Sequence, residues 1–285
     1  MSSPERTLRS FFACGALGVA VAAGGAREAH AAGFSFGGFS FDPNSLVSDD
    51  VIKQVVTTFG FGGQHRPYEP ATPLGIAVGL DFSLEVTLFK VPDSFFDALA
   101  AAGLPFPGSA LPALPVAKLH LHKGFGDWVD IGGSAFYLTG YKIFGGDVKI
   151  ALNQAEEGPS YAFRFCYTYL DIVTNGINIS TKTLAPQLLA SRRMDFADPY
   201  LGVAFEYTTG AVDATVTVPT DLTGPVPAGL TIPPVSLHKE SNAYGGYLFG
   251  GVSLRIPRSG LRITVEGAYD TAGVSTMGTK VGFTF

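Results

Sequence analysis

Apolar and polar residues alternate one by one along most of this chain. From Leu80 to Thr87, the residues Leu80, Phe82, Leu84 and Val86 fall on one side, continued by Leu88, while Asp81, Ser83, Glu85 and Thr87 fall on the other. A period of two places successive side chains on opposite faces of a strand. The pattern recurs. Leu119 and Leu121 oppose Lys118, His120 and His122; Val148, Ile150 and Leu152 oppose Asp147, Lys149 and Asn153. Leu201, Val203, Phe205 and Tyr207 oppose Gly202, Ala204, Glu206 and Thr208. Leu261, Ile263, Val265 and Tyr269 oppose Arg262, Thr264, Glu266 and Asp270, and Val281, Phe283 and Phe285 oppose Lys280, Gly282 and Thr284. No charge in these segments lies on the apolar side. Tyr161, Phe163, Phe165, Tyr167 and Tyr169 are five aromatics spaced by two. A helix would scatter them by about 200° per step, whereas a strand lines them up in one stripe. Ten strands are predicted, near 74–90, 116–123, 128–140, 143–153, 160–170, 176–190, 199–209, 243–256, 260–270 and 275–285.

Alternation of this kind suits a soluble sandwich or a membrane barrel. Two properties favour the barrel. The polar side carries Gly, Ala, Ser and Thr with scattered ions, as a packed lumen would. The segments run to about ten residues, the length of a tilted membrane-spanning strand, where strands in globular proteins average nearer six. The chain also ends on Phe285 with Phe283 and Val281 on the same face. This terminal pattern resembles the C-terminal insertion signal of bacterial outer-membrane β-barrels, although Thr279 departs from its longer version. The expected fold is therefore all-β: a transmembrane antiparallel up-and-down barrel over residues 74–285, of ten strands. Twelve would require Val212–Val218 and a partner such as Phe34–Phe41 to span as well. The resemblance implies outer-membrane lipid around the barrel, barrel-assembly machinery acting on the last strand, and a C-terminal strand that descends to the periplasm. Counting back from that strand, the short turns at Gly124–Asp127 and Pro257–Gly260 fall on the periplasmic side. The long connections 92–115 and 210–242 fall outside.

The first 31 residues read as a secretory signal: Arg6 and Arg9 precede the apolar run Phe11–Ala23, and Ala29-His30-Ala31 is an A-x-A cleavage site. Without a twin-Arg pair, export through the Sec route is expected. Residues 32–73 form an expected N-terminal periplasmic segment with a helix near 45–58, capped by Asn44 or Ser45, that either tethers to the rim or plugs the lumen; the tether is the simpler arrangement. In the first outer connection Phe95, Phe96, Ala98 and Leu99 have helical spacing, which suits a short helix capping the rim, or an apolar loop that folds into the mouth or dips into the lipid interface.

Composition narrows the function classes. Mean hydropathy is +0.26 and charged residues make up 15%, against about 25% in soluble domains. That excludes a disordered chain, and beyond the signal no run of eighteen apolar residues offers a membrane helix. A net charge of −5 excludes a nucleic-acid binder built on basic patches. Cys14 leaves with the signal, so Cys166 stands alone and forms no intrachain disulfide.

The inward positions supply the candidate chemistry. Asp81, Glu85, Lys118, His120, His122, Lys149, Arg164, Glu206, Arg255, Arg262, Glu266 and Lys280 are expected to line the lumen. Each Lys or Arg facing lipid at mid-membrane would cost about 2–4 kcal/mol, so these ions pair inside. Open channels belong to wider barrels of about sixteen strands. The leading reading is a narrow channel or carrier for small or apolar solutes. The alternative is a structural or interaction barrel acting through loops 92–115 and 210–242, and the third a lipid A or phospholipid hydrolase. An enzyme is not expected. Glu85 and His120 or His122 allow a carboxylate–imidazole pair, but no nucleophile accompanies it. His238-Lys239-Glu240-Ser241-Asn242 resembles the His-x-Ser-Asn signature of lipid A deacylases with one residue too many. Omptin proteases share the ten-strand count, but their acidic pairs and Asp-His are not found at the expected strand ends. No cofactor is implied, and His120 with His122 lacks a third metal ligand.

Overall fold

A computed structural model describes residues 34–36, 39–41, 48–75, 78–95, 97, 113–153, 158–174, 177–216 and 235–285. The signal segment, its cleavage residues Ala29 and Ala31, and most of the two long connections lie outside the described residues. Phe34–Phe36 (β1) and Phe39–Phe41 (β2) pair with each other in a separate two-stranded sheet. A helix, α1, spans Asp49–Gly62. Ten strands come after it: β3 (Leu80–Lys90), β4 (Leu114–Phe125), β5 (Val129–Leu138), β6 (Tyr141–Ala151), β7 (Pro159–Thr174), β8 (Ile177–Arg192), β9 (Ala197–Val216), β10 (Val235–Arg255), β11 (Leu261–Asp270) and β12 (Ser275–Thr284). Each pairs antiparallel with its sequence neighbours, and β12 closes the barrel on β3 with Val281 opposite Leu84 and Phe283 opposite Phe82. The barrel therefore has ten strands and not twelve. Val212–Val216 lengthens β9, and the Phe34–Phe41 stretch stays out of the barrel sheet. Among the described residues no helix is long and apolar enough to cross a membrane.

The first strand starts at Leu80, six residues later than its apolar pattern suggests. Gly75 and Gly79 have φ of +90° and +54°, which interrupt an extended run, and the Leu74 amide is taken by the Asp130 carboxylate at 3.1 Å.

The barrel has two distinct zones. In the lower zone the outward residues are large and apolar, and the inward ones are polar apart from an apolar cluster around Leu189, Tyr200, Tyr247 and Phe249. Phe82, Leu84, Leu119, Leu121, Leu201, Val203, Phe205, Val281 and Phe283 are all exposed, and the Tyr161–Tyr167 stripe points out with them. This is an exterior made for lipid, closed so that no strand edge is left unpaired. Trp128, Phe196 and Phe285 ring its lower end, and Tyr137, Tyr244 and Tyr269 its upper end, as interfacial girdles do. Above Tyr244 the polarity inverts while the alternation continues. Ile177, Ile179, Val212, Ala214, Leu237 and Ala243 now face in and are buried, whereas Lys182, His238, Glu240 and Asn242 face out. Apolar-in and polar-out is the pattern of a sheet in water. The inversion therefore marks where β8, β9 and β10 leave the membrane band and project beyond it.

The helix α1 fills the projecting part from inside. Ser48 caps it, accepting from the Val51 amide, and Asp49 and Asp50 stand in its first turn. Val51, Ile52, Val55, Val56 and Phe59 pack against the inverted apolar wall of β8–β10, together with Ile143, Leu170 and Ile172. Phe95, from the start of the first long connection, meets Phe59 edge to face at 6.5 Å and so contributes to the core. Asp49, at the start of the helix, pairs with Lys239 at 2.7 Å on the projecting part of β10. Beyond Gly62 the chain runs on down the lumen to Leu74 at the opposite end. Residues 49–74 thus pass through the barrel from the end that bears the long connections to the end that bears the short turns.

Candidate functional site

The polar centre of the barrel is assembled from strand residues and from the inserted stretch Gln64–Glu69. Gly60, Gly62 and Gly63 let the end of α1 approach the wall: a Cβ on Gly60 would lie 2.3 Å from Thr208 Oγ1, and one on Gly62 2.5 Å from the Phe89 ring. Inward glycines of the strands make room for Phe61, His65 and Tyr68. Added Cβ atoms on Gly145, Gly245 and Gly278 would stand 2.4 Å from His65 Cβ, 2.7 Å from the Phe61 ring and 2.2 Å from the Tyr68 hydroxyl. These glycines are cradles for one inserted side chain each. Tyr68 itself takes φ +51°, rare for a bulky residue, and is held there by a 2.6 Å hydrogen bond to Thr87 Oγ1.

Three carboxylates organise the charges. Glu85 on β3 accepts from Lys118 Nζ at 3.1 Å and from His120 Nε2, both on β4. Lys118 also donates to the Gln64 carbonyl at 2.6 Å. Asp147 on β6 receives His65 Nε2 at 2.8 Å and His122 Nε2 at 3.0 Å on the same oxygen. Glu69, on the inserted stretch, lies 3.3 Å from Lys149, 3.1 Å from Lys280 and 3.3 Å from His122 Nδ1. Lys149 is completed by Asp130 at 2.9 Å and by the carbonyls of Pro70 and Thr72, and Lys280 by Asp81 at 3.4 Å. A second group surrounds Arg164. Its Nε donates to Gln187 at 2.7 Å and its guanidinium lies 5.9 Å from the centre of the Phe249 ring, while Gln187 donates to Tyr247. Arg66 stacks on the other aromatic of this group, 4.7 Å from the Tyr247 ring centre. Tyr200 donates to Glu266 at 2.7 Å, and Gln64 donates to Glu206. All these groups are buried.

Of the twelve lumen positions read from the sequence, Asp81, Glu85, Lys118, His120, His122, Lys149, Arg164, Glu206, Glu266 and Lys280 lie buried here. Arg255 and Arg262 do not join the network; they sit half-exposed opposite each other at the lower end, where Arg255 pairs with Asp198 at 3.0 Å. The sequence reading missed Gln64, His65, Arg66, Tyr68 and Glu69. Their signal was available: four polar or charged residues within six, in a chain otherwise poor in charge. His65 also supplies what the His120–His122 pair lacked. The three imidazoles stack with ring centres 5.2, 5.7 and 6.1 Å apart, and one nitrogen of each lies within 4.8 Å of the others. The absence of a third histidine ligand is therefore corrected. His238, in the deacylase-like stretch, is exposed on the projecting part of β10 and bonds Asp213 at 2.5 Å.

No family model and no curated protein matches this sequence. Several solved structures do. The outer membrane protease OmpT from Escherichia coli is 11% identical over 72% of this chain and 96% of that chain, at a TM-score of 0.38. The β domain of the Bordetella autotransporter BrkA is 13% identical over 72% and 98%, at 0.32. Omp33 of Acinetobacter baumannii is 6% identical over 72% and 98%, at 0.28. The chain is similar to bacterial outer-membrane β-barrels in being a closed antiparallel barrel, and the likeness goes no further than that architecture.

Proposed function

We propose that this chain is an integral outer-membrane barrel, closed by its own inserted segment, that acts through the end carrying the connections 92–115 and 210–242. One observation carries the reading: residues 49–74 thread the lumen and are bonded to its wall at every level, from Asp49–Lys239 at the top through Glu69 in the middle to Leu74–Asp130 at the bottom. A ten-stranded barrel has room for side chains or one small inclusion, not for an aqueous pore as well. The long connections belong outside by the rule that short turns face the periplasm. The projecting β8–β10 wall then stands above the outer surface, with its polar exterior available to a partner. The partners this reading requires are outer-membrane lipid against the apolar exterior and assembly machinery at β12, after export through the Sec route. No hydrolytic step is assigned.

A channel or carrier for small or apolar solutes would need the inserted segment to move aside. Planar-bilayer recording separates the two readings. The purified chain is expected to show no conductance steps, and a chain lacking residues 49–73 to show them, provided that its gel mobility before and after boiling confirms a folded barrel. Steady conductance by the intact chain would overturn closure. Removing 217–234 is expected to leave closure intact and to weaken envelope integrity.

A further inference from the structure

The centre of the barrel holds more negative charge than its own cations neutralise. Among the described residues ten carboxylates and five Lys or Arg side chains are buried. Asp171 and Asp198 are met by the half-exposed Lys142 and Arg255 at 3.1 and 3.0 Å. That leaves eight buried carboxylates against five cations; Glu206 and Asp270 hydrogen-bond to each other and so share a proton, which leaves seven charges against five. Burying unbalanced charge is costly unless a counter-charge joins it.

The three stacked imidazoles sit beside Asp147, whose ion pairs are with histidines alone, and their hydrogen bonds leave them prepared for a cation. An ionised carboxylate only accepts. The Nε2 of His65 and of His122 therefore donates to Asp147, and the Nε2 of His120 donates to Glu85. In a neutral ring this places a lone pair on Nδ1, and on His65 that lone pair accepts from the Ser134 hydroxyl at 2.6 Å, which a metal would have to displace. His120 Nδ1 and His122 Nδ1 are buried without a hydrogen-bond partner. Moreover, His122 Nδ1 faces Glu69 Oε1 at 3.3 Å, so an acceptor looks at an acceptor. In His120 and His122 a carboxylate fixes one ring nitrogen while the other stays free, the arrangement that orients histidine toward a metal.

We propose that His65, His120 and His122, with Glu69 as a fourth donor, bind one divalent transition-metal ion of the Zn2+ or Co2+ kind. Imidazole with carboxylate suits these ions, and nitrogen ligands about 2.0–2.1 Å from the metal require the rings to close in by only about 1 Å from their present spread. His65 and Glu69 belong to the inserted segment and His120 and His122 to β4. The ion therefore clasps the segment to the wall. This site does not depend on which end of the barrel faces outward, nor on closure to solutes.

The test uses the whole chain, unfolded in urea with a chelator and refolded into detergent with Co2+ as the probe. The expected result is one Co2+ per chain, with the visible bands of a four-coordinate ion, displaced by Zn2+. Outer-shell groups are worth about 10–100-fold in metal affinity, so His65→Gln or His120→Gln is expected to weaken binding by more than about 100-fold, while the exposed His238→Gln leaves it unchanged. Gel mobility before and after boiling confirms that each variant has folded. X-ray absorption of the Zn2+-loaded unaltered chain gives an answer that needs no variant: three imidazoles are expected around the ion. Absence of stoichiometric binding by the unaltered chain, equal binding by His65→Gln and His120→Gln, or fewer than three imidazoles would each overturn the site in favour of protons alone as the missing charge.

Discussion

Glu85 and Glu69 look alike in the barrel, yet their loss has different consequences because their partners differ in what else they hold. Among the described residues Lys118 has Glu85 as its carboxylate and otherwise donates only to the Gln64 carbonyl. Glu85→Gln therefore strands a buried ammonium and leaves His120 without its acceptor. Removing one partner of a buried ion pair costs about 3–5 kcal/mol. Glu69→Gln affects two lysines, but Lys149 keeps Asp130 and two carbonyls, and Lys280 keeps Asp81. Its cost is expected nearer the ~1–3 kcal/mol of one lost charged hydrogen bond. Urea unfolding in lipid vesicles checks the order: both midpoints fall, Glu85→Gln further, with the slope unchanged. At this scale the inward set was readable from parity alone, since each ion on the strands had one face open to it. What parity does not carry is pairing. That His122 reaches Asp147 rather than a β3 carboxylate depends on Gly132, which stands between them in register on β5, and whose Cβ would lie 1.7 Å from His122 Cδ2.

Glycine placement decides how the elements fit together. Gly145, Gly245 and Gly278 stand on inward positions of β6, β10 and β12, opposite His65, Phe61 and Tyr68. In the sequence they read as small lumen residues of a packed barrel; their role as sockets shows only once the inserted segment is in place. The same limit applies to α1. Its apolar positions predicted a helix near 45–58, and a helix stands at Asp49–Gly62. Its destination depended on Ile177, Ile179, Val212, Ala214 and Leu237, which continue the alternation of the strands while exchanging which face is apolar. A period-two pattern gives the faces but not which of them meets lipid, and above Tyr244 the answer changes. Gly245→Val tests the socket. It would press on the Phe61 ring 2.7 Å away without touching the lipid face or the strand pairing. Overpacking of this kind costs about 1–3 kcal/mol, and here it bears first on the segment and less on the Asp270 carboxylate, 3.3 Å away. The expected outcome is a barrel that keeps its gel mobility shift but lets a protease cut within 49–73. Resistance equal to that of the unaltered chain would show that the segment does not use this socket.

For the molecule as a whole, the direction of the inserted segment fixes where its two ends emerge. The Asp49–Lys239 pair places the start of α1 at the end with the long connections, and Phe59, in its last turn, still meets Phe95 there. Leu74, bonded to Asp130, and Leu80, where β3 begins, stand at the end with the short turns. A chain entering from below could reach the top of α1 only by passing up the lumen beside residues 49–74, and that lumen is already filled with buried side chains. Ser48, which caps α1, therefore stands at the end with the long connections. In an outer membrane this means the cell surface if short turns face the periplasm. A protease site placed immediately before Ser48 and a second in the turn 193–196, which joins β8 to β9 at the lower end, read this directly. In intact cells an added protease is expected to cut the first and spare the second, and to cut both once the outer membrane is opened. The reverse order would mean that the barrel stands the other way up. Protection of both sites in intact cells would mean that the segment enters from the periplasm and that the threading described by its contacts is wrong.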